Sequence, residues 1–118
     1  MPAEHTAVAI LPSRDPKASA AFYARLGFQV DSDHDEYLIL SDGRGWELHL
    51  RAVTGWPAKV EDNPLGLYLY VDDVDAVADR VRELIIEPGA PHEKPWGCYE
   101  FAVSDPDGVL VRIGRSLD

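Results

Sequence analysis

The chain has 118 residues, of which 46% are hydrophobic and 27% are charged, the composition of one globular domain with a core of its own. No run approaches the ~18 consecutive apolar residues of a membrane span, and the N-terminus has no cationic leader, so we expect no membrane partner and a cytoplasmic location. Eleven Lys and Arg against 21 Asp and Glu give a formal net charge of −10. Without a basic cluster, nucleic acid is not an expected partner, and the acidity favours cationic ones.

The first predicted elements are a strand and a helix. An apolar run at residues 7–11 predicts the strand. Asp15 suits the N-cap of the helix, Pro16 its first position, and Gly27 the residue after its end. Four apolar residues share one face of this helix, as expected where a helix lies on a sheet: Ala18, Ala21, Phe22 and Leu26.

A predicted hairpin follows, with strands at 37–40 and 46–51 joined by the glycine-containing loop 41–45. Residues 54–64 contain one glycine and two prolines, a composition typical of a linker. The strand expected directly after the helix is only weakly indicated, and its counterpart in the second half has little room between 85 and 97.

The second half repeats this order. Residues 67–71 predict a strand, Asp73 a helix cap, and the apolar spacing from Val74 a helix that extends to Ile85. Strands at 99–104 and 109–114 are joined by the turn Asp-Pro-Asp-Gly. Because the two capping aspartates lie 58 residues apart, about half the chain, we predict a duplicated α+β fold. Residues 1–118 form one domain of two βαβββ modules, about 6–53 and 65–115, with the linker 54–64 between them.

Three segments resemble the bleomycin-resistance branch of the glyoxalase/bleomycin resistance/dioxygenase (vicinal oxygen chelate) superfamily. They read ILPSRDPKASAAFYARLGF, YVDDVDAV and PWGCYEFAVSDPDGVLVRIG, and the resemblance extends from about residue 6 to 115. It implies that the two modules form a curved mixed sheet around a concave cleft, usually in a homodimer.

The resemblance also locates the positions at which enzymes of this superfamily hold a divalent metal. Carried over by spacing, they fall on Val8, Gly66 and Arg112, none of which is a metal ligand, and a fixed cation at 112 would repel a metal. We therefore expect no cofactor and no catalysis. Glu47 and His49 share one face of a predicted strand, so a metal-dependent lyase or dioxygenase with an unorthodox site remains an alternative.

Two aromatic residues match the family's ligand-stacking positions. Trp96 matches the tryptophan that stacks on the planar bithiazole of bleomycin, and Tyr37 falls near the second aromatic of the sandwich. The resemblance implies that this pair forms across the dimer interface. Packing at a turn is the structural alternative for Trp96, and an ordinary half-buried strand position is the alternative for Tyr37.

Bleomycin-type glycopeptides also carry cationic tails, so acidic runs are further candidates for the binding site. The predicted ligand-binding residues besides the two aromatics are Asp31, Asp33, Asp35, Glu36, Glu61, Asp62 and the cleft-facing Arg112. The leading interpretation is a non-catalytic homodimer that sequesters a bleomycin-family antibiotic. A binder of another planar cationic small molecule shares every one of these features and stays open beside the metal enzyme.

Overall fold

Each half of the chain folds into one strand, one helix and three further strands in the computed structural model, which describes residues 5–56 and 59–118. The first module consists of β1 (Ala9–Ser13), α1 (Pro16–Leu26), β2 (Gln29–Asp33), β3 (Tyr37–Ser41) and β4 (Glu47–Ala52). The second consists of β5 (Gly66–Tyr70), α2 (Val74–Arg80), β6 (His92–Glu93), β7 (Cys98–Ser104) and β8 (Leu110–Ser116). Short 3-10 turns lie at Val60–Asp62 and Arg82–Leu84.

The two modules have the same strand order, which confirms the predicted α+β fold and its duplication. The sheets run β1-β4-β3-β2 and β5-β8-β7-β6. In each of them the first strand is parallel to the last, and the other pairs are antiparallel. The eight strands thus form two four-stranded mixed sheets within the chain, one for each module.

The first helix begins and ends where the sequence predicts. The carboxylate of Asp15 accepts the N–H of Ala18 at 3.3 Å, and Gly27 ends the helix with a φ of 116°, a conformation that favours glycine. Neither helix in the described part of the chain is long and apolar enough to cross a membrane.

The second helix is shorter than predicted. The expectation that it extends to Ile85 was wrong, because α2 ends at Arg80 and a 3-10 turn follows. The chain leaves the helix in order to pair with β7, where Ile85 bridges Val103 and the N–H of Ile86 donates to the carbonyl of Ala102 at 3.0 Å. The apolar spacing predicted burial correctly, since Leu84 and Ile85 still pack against the core.

The strands that the sequence indicates least are also the least regular. The register between β2 and β3 shifts between Val30 and Ser32, and β6 has only two residues. Prolines on both sides of β6 lack the N–H that a strand ladder needs, which explains its length.

One hydrophobic core is shared by both modules. It joins the inner faces of the two sheets to the buried sides of the helices, and its largest fully buried apolar side chains are Tyr23, Phe101, Leu11, Leu26, Leu38, Leu40, Leu48, Leu50 and Ile113. Because side chains alternate along a strand, the residues between these positions lie on outer faces that point away from the core.

The turn between β7 and β8 links the modules. The buried Asp107 carboxylate accepts the backbone N–H and the Nη1–H of Arg14, at 2.9 and 3.1 Å, and the hydroxyl of Ser19 at 3.0 Å. A buried carboxylate is stable only when its oxygens have such donors. The turn of the second module is therefore held by residues at the start of the first helix.

The other aspartate of this turn makes a second link. Asp105 accepts the hydroxyl of Tyr23 at 2.7 Å and the N–H groups of Asp107 and Val109 at 2.8 and 2.9 Å. Burial raises the pKa of Asp105, although these hydrogen bonds oppose the rise. Burial also raises the pKa of Tyr23 well above its ordinary value, so its hydroxyl remains a donor.

Asp107→Ala should lower the free energy of unfolding by about 2–3 kcal/mol, because three hydrogen bonds to a buried carboxylate lose their acceptor. The measurement is urea unfolding at neutral pH. Asp79→Ala is the matched control, since Asp79 forms an exposed ion pair with Arg82, and its loss should change stability by less than about 0.5 kcal/mol. Equal effects for the two variants would contradict a link between modules at Asp107.

Candidate functional site

Trp96 lies on the loop that joins β6 to β7 and is 59% exposed. The loop is tight, with Lys94 N–H donating to the carbonyl of Cys98 at 2.8 Å and Gly97 N–H to that of Lys94 at 3.0 Å. Gly97 has a φ of 86°, which a residue with a side chain rarely adopts. The loop therefore presents a large apolar side chain to solvent from a fixed backbone.

The indole is fixed as well, by a carboxylate that the sequence reading did not identify. Glu100 of β7 is completely buried. One of its oxygens, Oε1, accepts Trp96 Nε1–H at 3.0 Å and the hydroxyl of Tyr68 at 2.9 Å, and the other, Oε2, accepts Arg112 Nη1–H at 2.7 Å. Side chains from three strands and one loop thus meet at a single carboxylate on the outer face of the second sheet.

A glycine makes room for this cluster. Gly114 lies directly opposite Glu100 in the β7–β8 register. A Cβ at position 114 would lie 2.6 Å from Glu100 Cβ and 2.5 Å from the hydroxyl oxygen of Tyr68, both shorter than any normal contact. The backbone at this position therefore has to be that of glycine for the carboxylate to reach its donors.

Glu100 is ionised at neutral pH. Burial alone would raise its pKa, but hydrogen bonds from Trp96, Tyr68 and Arg112, together with the charge of Arg112, hold the pKa below its ordinary value. The pKa of Tyr68 is raised, first by burial and then by its hydrogen bonds with Cys98 and Glu100. Tyr68 consequently stays a hydrogen-bond donor.

Two cations flank the indole, and both are neutralised by carboxylates. Arg112 Cζ is 5.6 Å and Lys94 Nζ 5.8 Å from the centre of the Trp96 ring, within the range of cation–π attraction. Lys94 Nζ also pairs with Glu87 at 2.6 Å, as Arg112 does with Glu100. The surroundings of Trp96 are therefore rich in charge but balanced.

Tyr37 lies on the outer face of the first sheet, on β3. Its hydroxyl is 2.6 Å from Nδ1 of His49, and the two rings meet edge to face with centres 5.2 Å apart. Among the described residues, no hydrogen bond or ring contact joins Tyr37 to Trp96, which belongs to the other sheet. Their pairing across two subunits remains a prediction.

The acidic runs are exposed, as expected of charged surface residues. Asp31, Asp33, Asp35 and Glu36 lie on β2 and the turn that follows it. The turn is ordered by Asp33, whose carboxylate accepts the N–H of Asp35 at 2.8 Å, and this bond lowers the pKa of Asp33. Glu61 and Asp62 lie in the 3-10 turn between the modules. The binding role of both runs stays a prediction.

The residues that the resemblance assigns to the superfamily's metal positions do not fit a divalent metal. Val8 is apolar, Gly66 has no side chain, and the Arg112 guanidinium is tied to Glu100. Glu47 and His49 share one face of β4 as predicted, but His49 Nδ1 is engaged by Tyr37. Within residues 5–56 and 59–118, no three His, Cys, Asp or Glu side chains are grouped as ligands.

A cavity of about 800 Å³ lies at the junction of the modules, and Trp96 is not part of its lining. Its lining includes Trp46, Tyr70, Arg80 and Arg115. Trp46 is not free to stack on a ligand in the way Trp96 is, because it stacks on Phe28 with ring centres 5.7 Å apart and donates Nε1–H to the Tyr70 carbonyl. The ring of Trp96, by contrast, is exposed and could form one side of a binding site.

The signal for Glu100 was present in the sequence. The Asp-Pro-Asp-Gly turn sets the register of its hairpin, and that register places Glu100 and Arg112 on the same face of neighbouring strands. A charged residue beside Phe101 in an otherwise apolar strand then indicates a buried ion pair. The alternation of β5 adds Tyr68 to the same face, where it lies opposite Arg112.

Comparison with known proteins agrees with this architecture. The bleomycin resistance protein of Klebsiella pneumoniae is 31% identical over 115 residues, covering 87% of this chain and 86% of that protein. The crystal structure of a bleomycin-binding protein complexed with bleomycin is 29% identical with a TM-score of 0.81, covering 96% of this chain and 99% of the other. The crystal structure of a bleomycin resistance determinant encoded on the transposon Tn5 is 30% identical with a TM-score of 0.80, covering 96% of this chain and 98% of the other.

The family assignment rests on nearly the whole chain. The model of the Glyoxalase/Bleomycin resistance protein/Dioxygenase superfamily matches residues 3–113, which include the first module and all of the second except the end of β8. The chain therefore belongs to this superfamily, as the three resembling segments predicted.

Proposed function

We propose that this chain is a cytoplasmic binding protein that sequesters a bleomycin-family glycopeptide without altering it chemically. The observation that carries the proposal is the exposed indole of Trp96, fixed by a buried carboxylate on the outer face of the second sheet. Relatives named for bleomycin binding and bleomycin resistance match nearly the whole chain, which supports the choice of ligand.

The surroundings of Trp96 suit a flat heteroaromatic group. An exposed tryptophan offers a large apolar face, and stacking of a second ring adds about 0.5–1.5 kcal/mol beyond burial. Since the cations beside Trp96 are each paired with a carboxylate, a neutral bithiazole meets no unbalanced charge there. Sequestration requires only affinity, which such a surface supplies.

The second wall of the site is proposed to come from another copy of the chain. Tyr37 and Trp96 lie on outer faces of different sheets, and neither of them lines the cavity of about 800 Å³ at the junction of the modules. A homodimer that sets the first sheet of one subunit against the second sheet of its partner would enclose two equivalent sites.

The cationic tail of the ligand is proposed to lie away from Trp96. The charges beside the indole are balanced by ion pairs, so they offer a cationic tail no net attraction. The exposed carboxylates of Asp31 and Glu36, at the far edge of the first sheet, offer attraction instead. Glu61 and Asp62 are the second candidate for this role.

Catalysis is not part of the proposal. The enzymes of the superfamily need ligands at the positions that Val8, Gly66 and Arg112 occupy here, and these residues do not hold a metal. No step of the proposed function depends on a bond being made or broken.

Removal of the indole provides the direct test. Trp96→Ala should weaken bleomycin binding by at least about 2 kcal/mol, roughly 30-fold in Kd, as for other central aromatic anchors. Isothermal titration calorimetry with copper-loaded and metal-free bleomycin measures the change. Trp46→Phe is the matched control and should bind within about twofold of the wild type, because Trp46 is packed on Phe28. Absence of binding by the wild type at tens of micromolar would refute the proposal.

Subunit mixing tests the dimeric site. Trp96→Ala and Tyr37→Ala homodimers should each bind poorly, because every site in them lacks one ring. An equimolar mixture, exchanged to equilibrium, should regain about a quarter of the tight sites, since half of the dimers are mixed and each has one intact site of two. Calorimetric stoichiometry reports this number. A mixture that binds no better than its components would exclude a site shared between subunits.

Charge neutralisation tests the acidic run. The double variant Asp31→Asn/Glu36→Gln should weaken binding of cationic bleomycin by about three- to tenfold at low salt, with a smaller loss at high salt. Asp33 is left intact because it orders the turn. Asp79→Asn/Glu83→Gln changes the net charge equally on the α2 side and serves as control. If both variants behave alike, or if Glu61→Gln/Asp62→Asn alone has the effect, the run at 31–36 does not face the ligand.

A further inference from the structure

We propose that Glu100 is the positioning residue of the binding site, holding the Trp96 indole and the Arg112 guanidinium in the arrangement that receives a planar ligand. This inference rests on the proposed function and extends it to a residue that would not itself touch the ligand. It follows from one buried carboxylate, its three donors and the glycine opposite it.

The two carboxylate oxygens of Glu100 accept hydrogen bonds from different partners. Oε1 accepts from Trp96 and Tyr68, and Oε2 accepts from Arg112. The bond to Nε1 fixes the edge of the indole, so that rotation about its side-chain torsions would break a charge-assisted hydrogen bond. The ring therefore keeps one orientation while most of its surface remains open.

Burial makes this arrangement rigid. Glu100 is fully excluded from solvent, and water cannot replace a donor that moves away without entering the sheet face. The cluster leaves no spare room at Gly114, since even a Cβ there would clash with both Glu100 and Tyr68. A carboxylate with no alternative position sets its partners more strictly than an exposed one does.

Preorganisation of this kind increases affinity because an already ordered side chain loses little conformational entropy when the ligand binds. An exposed tryptophan without such a hydrogen bond would lose its side-chain freedom when the ligand binds, which would weaken the affinity. Glu100 also holds the Arg112 guanidinium in place beside the indole, because their ion pair spans 2.7 Å.

Three variants separate the effect of Glu100 on the Trp96 indole from its effect on the Arg112 guanidinium. Arg112→Met removes the cation but leaves the acceptor for Trp96. Glu100→Leu/Arg112→Met removes both partners and strands no charge in the sheet. Glu100→Gln keeps an oxygen for Trp96 and Tyr68 but sets an N–H₂ group against Arg112, so it should retain the indole and release the guanidinium.

The first readout needs no ligand. Exchange of the indole N–H with water is measured by NMR on protein labelled with ¹⁵N. In Glu100→Leu/Arg112→Met the Trp96 N–H should exchange at least about tenfold faster than in the wild type. Trp46 is the control within the same spectrum, because its N–H donates to the Tyr70 carbonyl at 2.8 Å and should not change. Glu100→Gln should leave both signals near their wild-type rates.

The second readout is the Kd for bleomycin. Glu100→Leu/Arg112→Met should bind about tenfold more weakly than Arg112→Met, a difference that isolates the effect transmitted through Trp96. Unchanged exchange of the Trp96 N–H in the double variant, or equal Kd values for these two variants, would overturn the inference. Should wild-type protein not bind bleomycin, the proposed function fails, whereas the exchange rates still decide whether Glu100 holds the indole.

Discussion

The arrangement of this molecule depends on the two aspartates of the turn between β7 and β8. Asp107 binds the start of the first helix through Arg14 and Ser19, and Asp105 binds its middle through Tyr23. The same turn sets the β7–β8 register, because Asp105 also accepts N–H groups inside it. One short segment therefore both joins the modules and determines which residues oppose each other in the second sheet. The geometry of the candidate site on that sheet therefore depends on the turn.

Duplication explains why the two outer faces have similar geometry but different chemistry. The strand pairings make His49 and Arg112 equivalent positions on the last strands, and Tyr37 and Glu100 equivalent positions beside them. In both modules a polar bond joins the two residues, at 2.6 Å in the first and 2.7 Å in the second. The first pair is a hydroxyl and an imidazole, while the second is an ion pair. The repeat thus supplies a scaffold on which each face carries its own side-chain chemistry.

The sequence predicted most of the features that depend on local chemistry. The predicted buried face of α1 was wrong, because Ser19 and Tyr23 are buried there whereas Ala18 and Ala21 are exposed. Asp15 and Gly27 bound the first helix as expected, and the half-chain repeat gave the fold. Features that depend on pairing between distant strands were not predicted from the sequence. The second helix ends early because Ile85 joins β7, and Glu100 was missed because its burial requires Tyr68, Arg112 and Gly114, which come from other strands. The likeness of Trp96 to a family position indicated a ligand contact but not what holds the ring.

An ion pair with one fully buried partner is a poor source of stability, since removing the Glu100 charge from water offsets much of its attraction to Arg112. Glu100 and Arg112 are therefore better understood through what they keep in place. The desolvation cost arises when the chain folds, before any ligand arrives, and in the proposed function the indole is then already ordered when the ligand binds. A well-packed apolar pair in their place could give equal stability, but it would offer no acceptor to Nε1 of Trp96. The ionic cluster on the outer face thus adds little to the folding free energy, but it fixes an aromatic surface. A fixed aromatic surface is the property that the proposed sequestration by stacking requires.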